Sequence, residues 1–426
     1  MATAATEGRG AGRPERTDRR AAGRPLEHRM LSTATLCLLA GGAVMVYSAS
    51  SAKDLLAGGG DGSAFLVRYV IYGALGLGLM FGLSRWGLQA VRRITPVLLG
   101  VSFIGLLLVM IPGIGMEVNG ATRWIGAGPL QLQPSELMKL ALVLYAVEML
   151  ASRRRPRSLR EVLPVLVVGA AACGLVAVEP DLGTALVIAG TLAALLVAAG
   201  MPMRQLLLLA GAAGGLVLLF ALAEPYRQAR LTAFLDPWAD AGGTGFQSVQ
   251  GQIALGSGGL FGVGLGQSVQ KVFYLPEAHT DFILAVIGEE FGVVGICGVL
   301  LLYGMIAHAG LRVARTAKGA YAKLLAAGLT SLILCQGILN VFTVLGLAPL
   351  TGVPLPFISY GSNNLVVLLA AVGLLMNIAA GGSAHLRAVP GNRAKGGGDA
   401  HEDPDRRRRD GRARRARAGR GRRAAG

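Results

Sequence analysis

Charge is the scarcest commodity in this chain. Only 15% of its 426 residues are charged, and the acidic ones are the rarer, 24 against 41 Lys and Arg. A soluble globular chain of this length carries about 25% charged residues, so an ordinary water-soluble domain is excluded. Cysteine is almost absent too. Cys37, Cys173, Cys297 and Cys335 stand far apart inside apolar runs, which leaves no disulfide framework and no metal-ligand spacing. They read as small buried hydrophobes. The glycine-rich GSGGLFGVGLG (256–266) lacks the following Lys-Ser/Thr of a Walker loop, so nucleotide binding there is not expected. Close packing in a re-entrant loop is. A cleavable leader is not expected either: about thirty polar, Arg-rich residues precede the first apolar run, longer than a usual n-region.

Hydrophobic residues fill 53% of the chain, and the mean hydropathy is +0.55. Continuous apolar runs of about twenty residues recur, each able to cross a ~30 Å hydrocarbon core. The reading is an all-α polytopic membrane protein with about ten transmembrane helices. They are expected near 31–49, 65–84, 95–112, 136–151, 162–178, 181–199, 203–223, 281–308, 321–345 and 361–380. A transmembrane domain over 30–382 is flanked by basic tails at 1–29 and 383–426, both read as disordered.

Every second loop is basic: Arg85, Arg92 and Arg93; RRRPRSLR (153–160); Arg204; and Arg312, Arg315 and Lys318. The positive-inside rule places these loops and both termini in the cytoplasm. The net charge of +17 resides mostly in the tails, which points to anionic membrane lipids rather than nucleic acid. The opposite loops face outward and carry the unusual sequence. The largest is 224–280, too long for a plain connection.

Within a bilayer a charged side chain costs about 2.5–3.5 kcal/mol on insertion scales and usually faces a bundle interior or wet cavity. The informative residues are therefore the charges at the outer ends of helices. Glu136 and Lys139 open the fourth run in PSELMKL, three residues apart and able to pair. Asp181 in EPDLG and Asp281 in HTDF each precede an apolar run, the position of a helix N-cap. Glu277 and His279 flank Asp281 in the loop, and Glu289 and Glu290 lie deeper. These last two can pair with an interior cation such as Lys139 or stay protonated. Arg123, Arg227 and Arg230 lie in outward loops; their planar donor forks suit phosphate oxygens or lipid headgroups. Together these residues describe a site near the outer leaflet for an anionic or polar-headed ligand. The chemistry leaves an enzyme and a transporter equally open.

Six segments, NGATRWI (119–125), QPSELMKL (133–140), EPDLGTA (179–185), SGGLFGVGLG (257–266), YLPEAHTDFI (274–283) and PLPFISYG (354–361), resemble the SEDS family (shape, elongation, division and sporulation) of bacterial cell-wall synthesis. They occur in family order from the first run to the last. The resemblance implies a peptidoglycan glycosyltransferase that polymerises lipid II at the outer face of the plasma membrane. It would work with a class B penicillin-binding protein and other division proteins. It implies Asp281 as the catalytic residue and Glu136, Lys139 and Asp181 as cavity residues. Arg123, Arg227 and Arg230 become candidate pyrophosphate contacts, and Glu277 and His279 the shapers of the catalytic loop. No cofactor is firmly implied; a divalent cation, Mg or Mn, stays open. GVGLGQSVQK before YLPEAHTDF is nearer the division branch, hence a septal location, with elongation and sporulation paralogues and a lipid II flippase as rivals. One departure stands out. Gly361 is followed by Ser362, Asn363 and Asn364, where the family commonly has a glycine and two serines.

Overall fold

A computed structural model describes residues 25–56, 62–118, 121–127, 130–153, 156, 158–222, 225–272 and 274–381. The C-terminal tail expected at 383–426, and residues 1–24 of the N-terminal one, lie outside the described residues. Residues 26–29 of the expected tail form the first turn of a helix.

The elements follow in the order α1 (Leu26–Leu56), α2 (Ala64–Leu83), α3 (Leu88–Val109), β1 (Gly115–Val118), β2 (Ala121–Ala127), β3 (Leu130–Leu132), α4 (Pro134–Ala151), α5 (Leu159–Val178), α6 (Leu182–Ala198) and α7 (Met203–Leu222). Then come α8 (Pro225–Leu235), α9 (Phe246–Ser257), α10 (Ile283–Thr316), α11 (Ala320–Val344) and α12 (Ser362–Ala379). Seven of these, α1, α2, α3, α5, α10, α11 and α12, are long and apolar enough to cross a membrane. The apolar stretches of α6 and α7 are shorter. α4 spans 18 residues but carries Glu136, Lys139 and Glu148. Each of the ten expected runs is thus helical, while α8 and α9 are further helices inside the long outward segment.

α11 and α12 form the centre: 72% and 78% of their most apolar stretches are buried, against 22% for α2 and α3. α12 lies against α1, α2, α4 and α11, and α11 against α4, α6 and α10. Without a hydrophobic drive between helices in lipid, close backbone approach supplies the packing. A β-carbon on Gly373 of α12 would run into the Met80 backbone of α2. Cys37 and Cys297 are exposed on the bundle surface, not buried as expected. Bundle and bilayer are equally apolar, so composition does not separate a core-facing cysteine from a lipid-facing one.

Two outward segments acquire structure that helical periodicity does not reveal. Residues 115–132 form a three-stranded antiparallel sheet in the order β1-β2-β3, with Ile125 of β2 opposite Gly115 and Leu132. The glycine-rich segment docks into a break in α10, where Gly292 takes φ 66° and ψ −160°. There Val263 N and Gly264 N donate to the Glu289 and Glu290 carbonyls at 2.9 and 3.0 Å. Val293 N and Val294 N donate back to Gly259 and Leu260 at 3.0 and 3.2 Å. Broken helix inside an apolar bundle is tolerated only when protein re-satisfies the freed groups, and this segment does so. Gly262, at φ +81°, lies so close that a β-carbon would collide with the Glu290 carbonyl.

Candidate active site

Asp281 lies immediately before α10, whose N-cap position is Phe282 and has no side-chain cap. Its carboxylate thus lies one residue outside the capping position, the position that Asp181 occupies before α6. Phe282 is fully buried and packs on Gly251 of α9, which holds the helix mouth in place. Asn340 of α11 donates to the Asp281 carbonyl at 2.7 Å and to the Val353 carbonyl at 2.8 Å. Thr280 Oγ1 lies 3.2 Å from Asp281 Oδ1 and 3.1 Å from Glu277 Oε2. Glu277 adopts φ 54°, a left-handed conformation uncommon outside glycine and often found at functional sites. Burial pushes the Asp281 pKa up to about 7, with the Glu277 charge adding to it. Hydrogen bonds from its own amide and Thr280, and the Arg230 charge from α8, pull the other way.

His279 is buried at 5% exposure. Its ring lies 4.5 Å from Phe65 and 5.8 Å from Tyr360, and its carbonyl accepts from Tyr360 N at 3.0 Å. It ties the Asp281 loop to PLPFISYG. Arg230 is exposed and lines a small pocket of about 200 Å³ with Ser248 and Gln252. The side chain of Arg227 lies outside the described residues.

A second group sits in the bundle interior. Lys139 pairs with Glu136 at 2.8 Å and donates to Gln336 Oε1 at 2.8 Å. Asn364 donates to Glu136 Oε2 at 2.8 Å and to Gln336 Oε1 at 3.1 Å. All four are at most 5% exposed. A buried pair offsets its desolvation only when further hydrogen bonds saturate it, and here two amides do so. The departure after Gly361 is thereby explained in part: Asn364 reaches the ion pair, and Asn363 donates to the Gln131 carbonyl of the sheet segment at 3.0 Å.

The third group is the turn before α6. Asp181 accepts from Thr184 N at 3.1 Å, the expected cap, and from Gln133 Nε2 at 3.3 Å. Arg123 on β2 donates to the Glu179 carbonyl at 3.0 Å and to the Pro180 carbonyl, so part of its fork holds the turn. Glu179 is only 3% exposed, yet neither carboxylate oxygen has a hydrogen-bond partner among the described residues. Burial first, then the Asp181 charge, push its pKa up to about 8, with Arg123 opposing.

One strand of chain joins all three groups. Gly183 packs on Thr351 and Val353, Asn340 holds the Val353 carbonyl, and Gln336 donates to the Pro354 carbonyl at 2.9 Å. Gln336 and Asn340, four residues apart on one face of α11, are thus the hub, and the sequence reading did not weigh them. Two amides at helical spacing in an apolar run were the signal. Glu179, beside Asp181, likewise lies outside the expected set.

The pairing expected between Lys139 and the deeper glutamates is not made. Lys139 is engaged by Glu136, and Glu290 pairs instead with Lys271 at 2.7 Å. Ser48 of α1 bridges that pair, donating to Glu290 at 2.7 Å and accepting from Lys271 at 3.0 Å. Glu289 accepts from Ser268 Oγ and, at 3.0 Å, from Val269 N. These contacts clamp residues 268–271 onto α1 and α10. Among the described residues no group of three or more His, Cys, Asp or Glu could hold a metal ion by itself.

The family described as Cell cycle protein, which groups FtsW, RodA and SpoVE, matches residues 28–383. Stage V sporulation protein E of Bacillus subtilis is 40% identical over 356 residues, covering 82% of this chain and 96% of its own. A probable peptidoglycan glycosyltransferase FtsW of Thioalkalivibrio sulfidiphilus is 42% identical over 359 residues, covering 82% and 88%. Among solved structures, a chain from work on structural coordination of polymerization and crosslinking by a peptidoglycan synthase complex superposes with a TM-score of 0.68. It has 30% identity and covers 82% of this chain and 96% of its own. The rod shape determining protein RodA of Thermus thermophilus gives a TM-score of 0.60 at 30% identity, covering 82% and 95%.

Proposed function

The chain belongs to the SEDS family, the cell-cycle proteins FtsW, RodA and SpoVE, and from that premise we propose that it is a peptidoglycan glycosyltransferase polymerising lipid II during septal wall synthesis. The observation that carries the reading is Asp281: a carboxyl at a helix mouth, one residue outside the capping position, set beside Thr280 and Glu277, with its pKa pushed up to about 7 by burial. A general base works best with a pKa near the operating pH. The acceptor sugar's 4-hydroxyl gives its proton to Asp281 while its oxygen attacks the anomeric carbon of the growing chain. The bond from that carbon to the pyrophosphate breaks, and undecaprenyl pyrophosphate leaves. Glu277 and His279 hold the loop that aims Asp281. The family resemblance assigns Glu136, Lys139 and Asp181 to the substrate cavity, and Arg230, Arg227 and the remaining donors of Arg123 are assigned to the pyrophosphate.

A divalent cation, Mg or Mn, would fit beside the turn before α6, because Glu179 has two buried oxygens without hydrogen-bond partners among the described residues and Asp181 is close enough to raise its pKa. Mg is commonly held by one or two carboxylates together with substrate phosphates, and there it would neutralise charge on the leaving pyrophosphate. In this reading the basic loops face the cytoplasm and the site opens outward. A class B penicillin-binding protein cross-links the product, and other division proteins hold the pair at the septum of the plasma membrane.

The test is polymerisation by the chain purified with its penicillin-binding partner and supplied with lipid II in detergent. Asp281→Ala is expected to make no glycan strands. Undiminished polymerisation by that variant would remove Asp281 from the chemistry and leave a flippase as the better reading.

A further inference from the structure

A cleft of about 680 Å³ lies between α3 and α4, and none of the candidate site residues described above lines it. We propose that it is a binding site for one anionic glycerophospholipid of the cytoplasmic leaflet, its phosphate at Arg93 and one acyl chain along Leu99, Gly100 and Phe103. The inference is independent of the transfer chemistry and rests only on the orientation that the basic loops imply.

The polar end of the cleft carries Arg92, Arg93 and Glu148. Arg92 is already engaged. It makes a two-pronged contact with Glu148, one prong at 2.6 Å, and its guanidinium lies 4.9 Å from the centre of the Tyr321 ring. Glu148 is thereby neutralised, and the net charge left at the mouth is that of Arg93. Arg93 is exposed and has no ion-pair partner among the described residues. Basic pockets between transmembrane helices on the cytoplasmic side are sites for anionic headgroups.

Beyond the arginines the lining turns apolar. From Arg92 to Phe103 is eleven residues of helix, about 16 Å, roughly the depth of one leaflet of a ~30 Å core. That length suits a fatty acyl chain and is short for a polyprenyl tail. A β-carbon built on Gly100 meets nothing within 4 Å, so the wall is open there. Exposed Val97, Val101 and Ile104 on the same helix give a lipid lateral access from the bilayer.

The test is native mass spectrometry of the full chain, given equimolar phosphatidylglycerol and phosphatidylcholine of matched acyl chains. Phosphatidylglycerol adducts are expected to dominate. Arg93→Gln should reduce them about fivefold, the effect of one arginine near an anionic surface. Gly100→Leu, which fills open space, should remove adducts while the gel-filtration profile stays monodisperse. Arg85→Gln, an exposed arginine outside the cleft, should leave them unchanged. Equal retention of both lipids would overturn the proposal. So would a loss in Arg85→Gln as large as in Arg93→Gln, adducts that survive Gly100→Leu, or preferential retention of a polyprenyl phosphate.

Discussion

If Asp281 is the base, polymerisation should follow its ionisation. With a pKa of about 7, roughly a tenth of the carboxyls are charged at pH 6, half at pH 7 and nine-tenths at pH 8. The rate under saturating lipid II should therefore rise about tenfold from pH 6 to pH 8 and then level off. An ordinary exposed aspartate, already ionised at pH 6, would give a flat profile. Two variants make the argument sharper because they move the midpoint in opposite directions. Glu277 raises the Asp281 pKa and Arg230 lowers it. Glu277→Gln should thus shift the profile to lower pH and Arg230→Gln to higher pH. Stability should run counter to activity. A carboxyl whose folded pKa is raised favours the folded state at low pH, and that contribution fades as pH rises towards the folded value. The assay is the initial rate of strand formation on gels, with the partner's cross-linking blocked by a β-lactam. A wild-type profile flat between pH 6 and 8, or two variants shifted the same way, would refute Asp281 as the titrating base.

Lys271→Met leaves Glu290 buried without its ion-pair partner, which should cost about 3–5 kcal/mol; Lys271→Met with Glu290→Leu should recover much of the lost melting temperature in detergent. Gly262→Ala places a β-carbon against the Glu290 carbonyl at φ +81°, so the monodisperse peak in gel filtration should shrink, whereas Gly256→Ala, with open space around it, should not change it. Asn364→Ala removes a hydrogen bond to a buried carboxylate, worth about 1.5–3 kcal/mol, and melting curves should show the loss while Asn364→Ser, the residue common in the family, loses less. Glu179→Gln should raise the Mg or Mn concentration for half-maximal polymerisation, and an unchanged cation titration would remove Glu179 from cation binding.

Much of this was legible in the chain itself. A run of about twenty apolar residues has few alternatives to a membrane helix, because every buried backbone group must find its partner within the segment. The ten runs and the alternation of their basic loops follow from local composition alone. So does the Asp181 cap, which needs only the amide three residues ahead. The Glu136–Lys139 pair is equally local, one turn along a helix.

Contacts between distant segments were not legible. Glu290 meets Lys271 rather than Lys139 because α10 breaks at Gly292 and the glycine-rich segment folds back into the break. No periodicity encodes that docking. Asp181 and Asp281 look alike as sequence, each an aspartate before an apolar run. Only the packing of Phe282 and the hold of Asn340 leave one as a cap and the other one residue outside the capping position. The hub at Gln336 and Asn340 depends on three segments converging on residues 351–354. Helices are local objects whose existence composition decides. A site made from the ends of several helices depends on how they cross, and side-chain packing in the assembled bundle decides that.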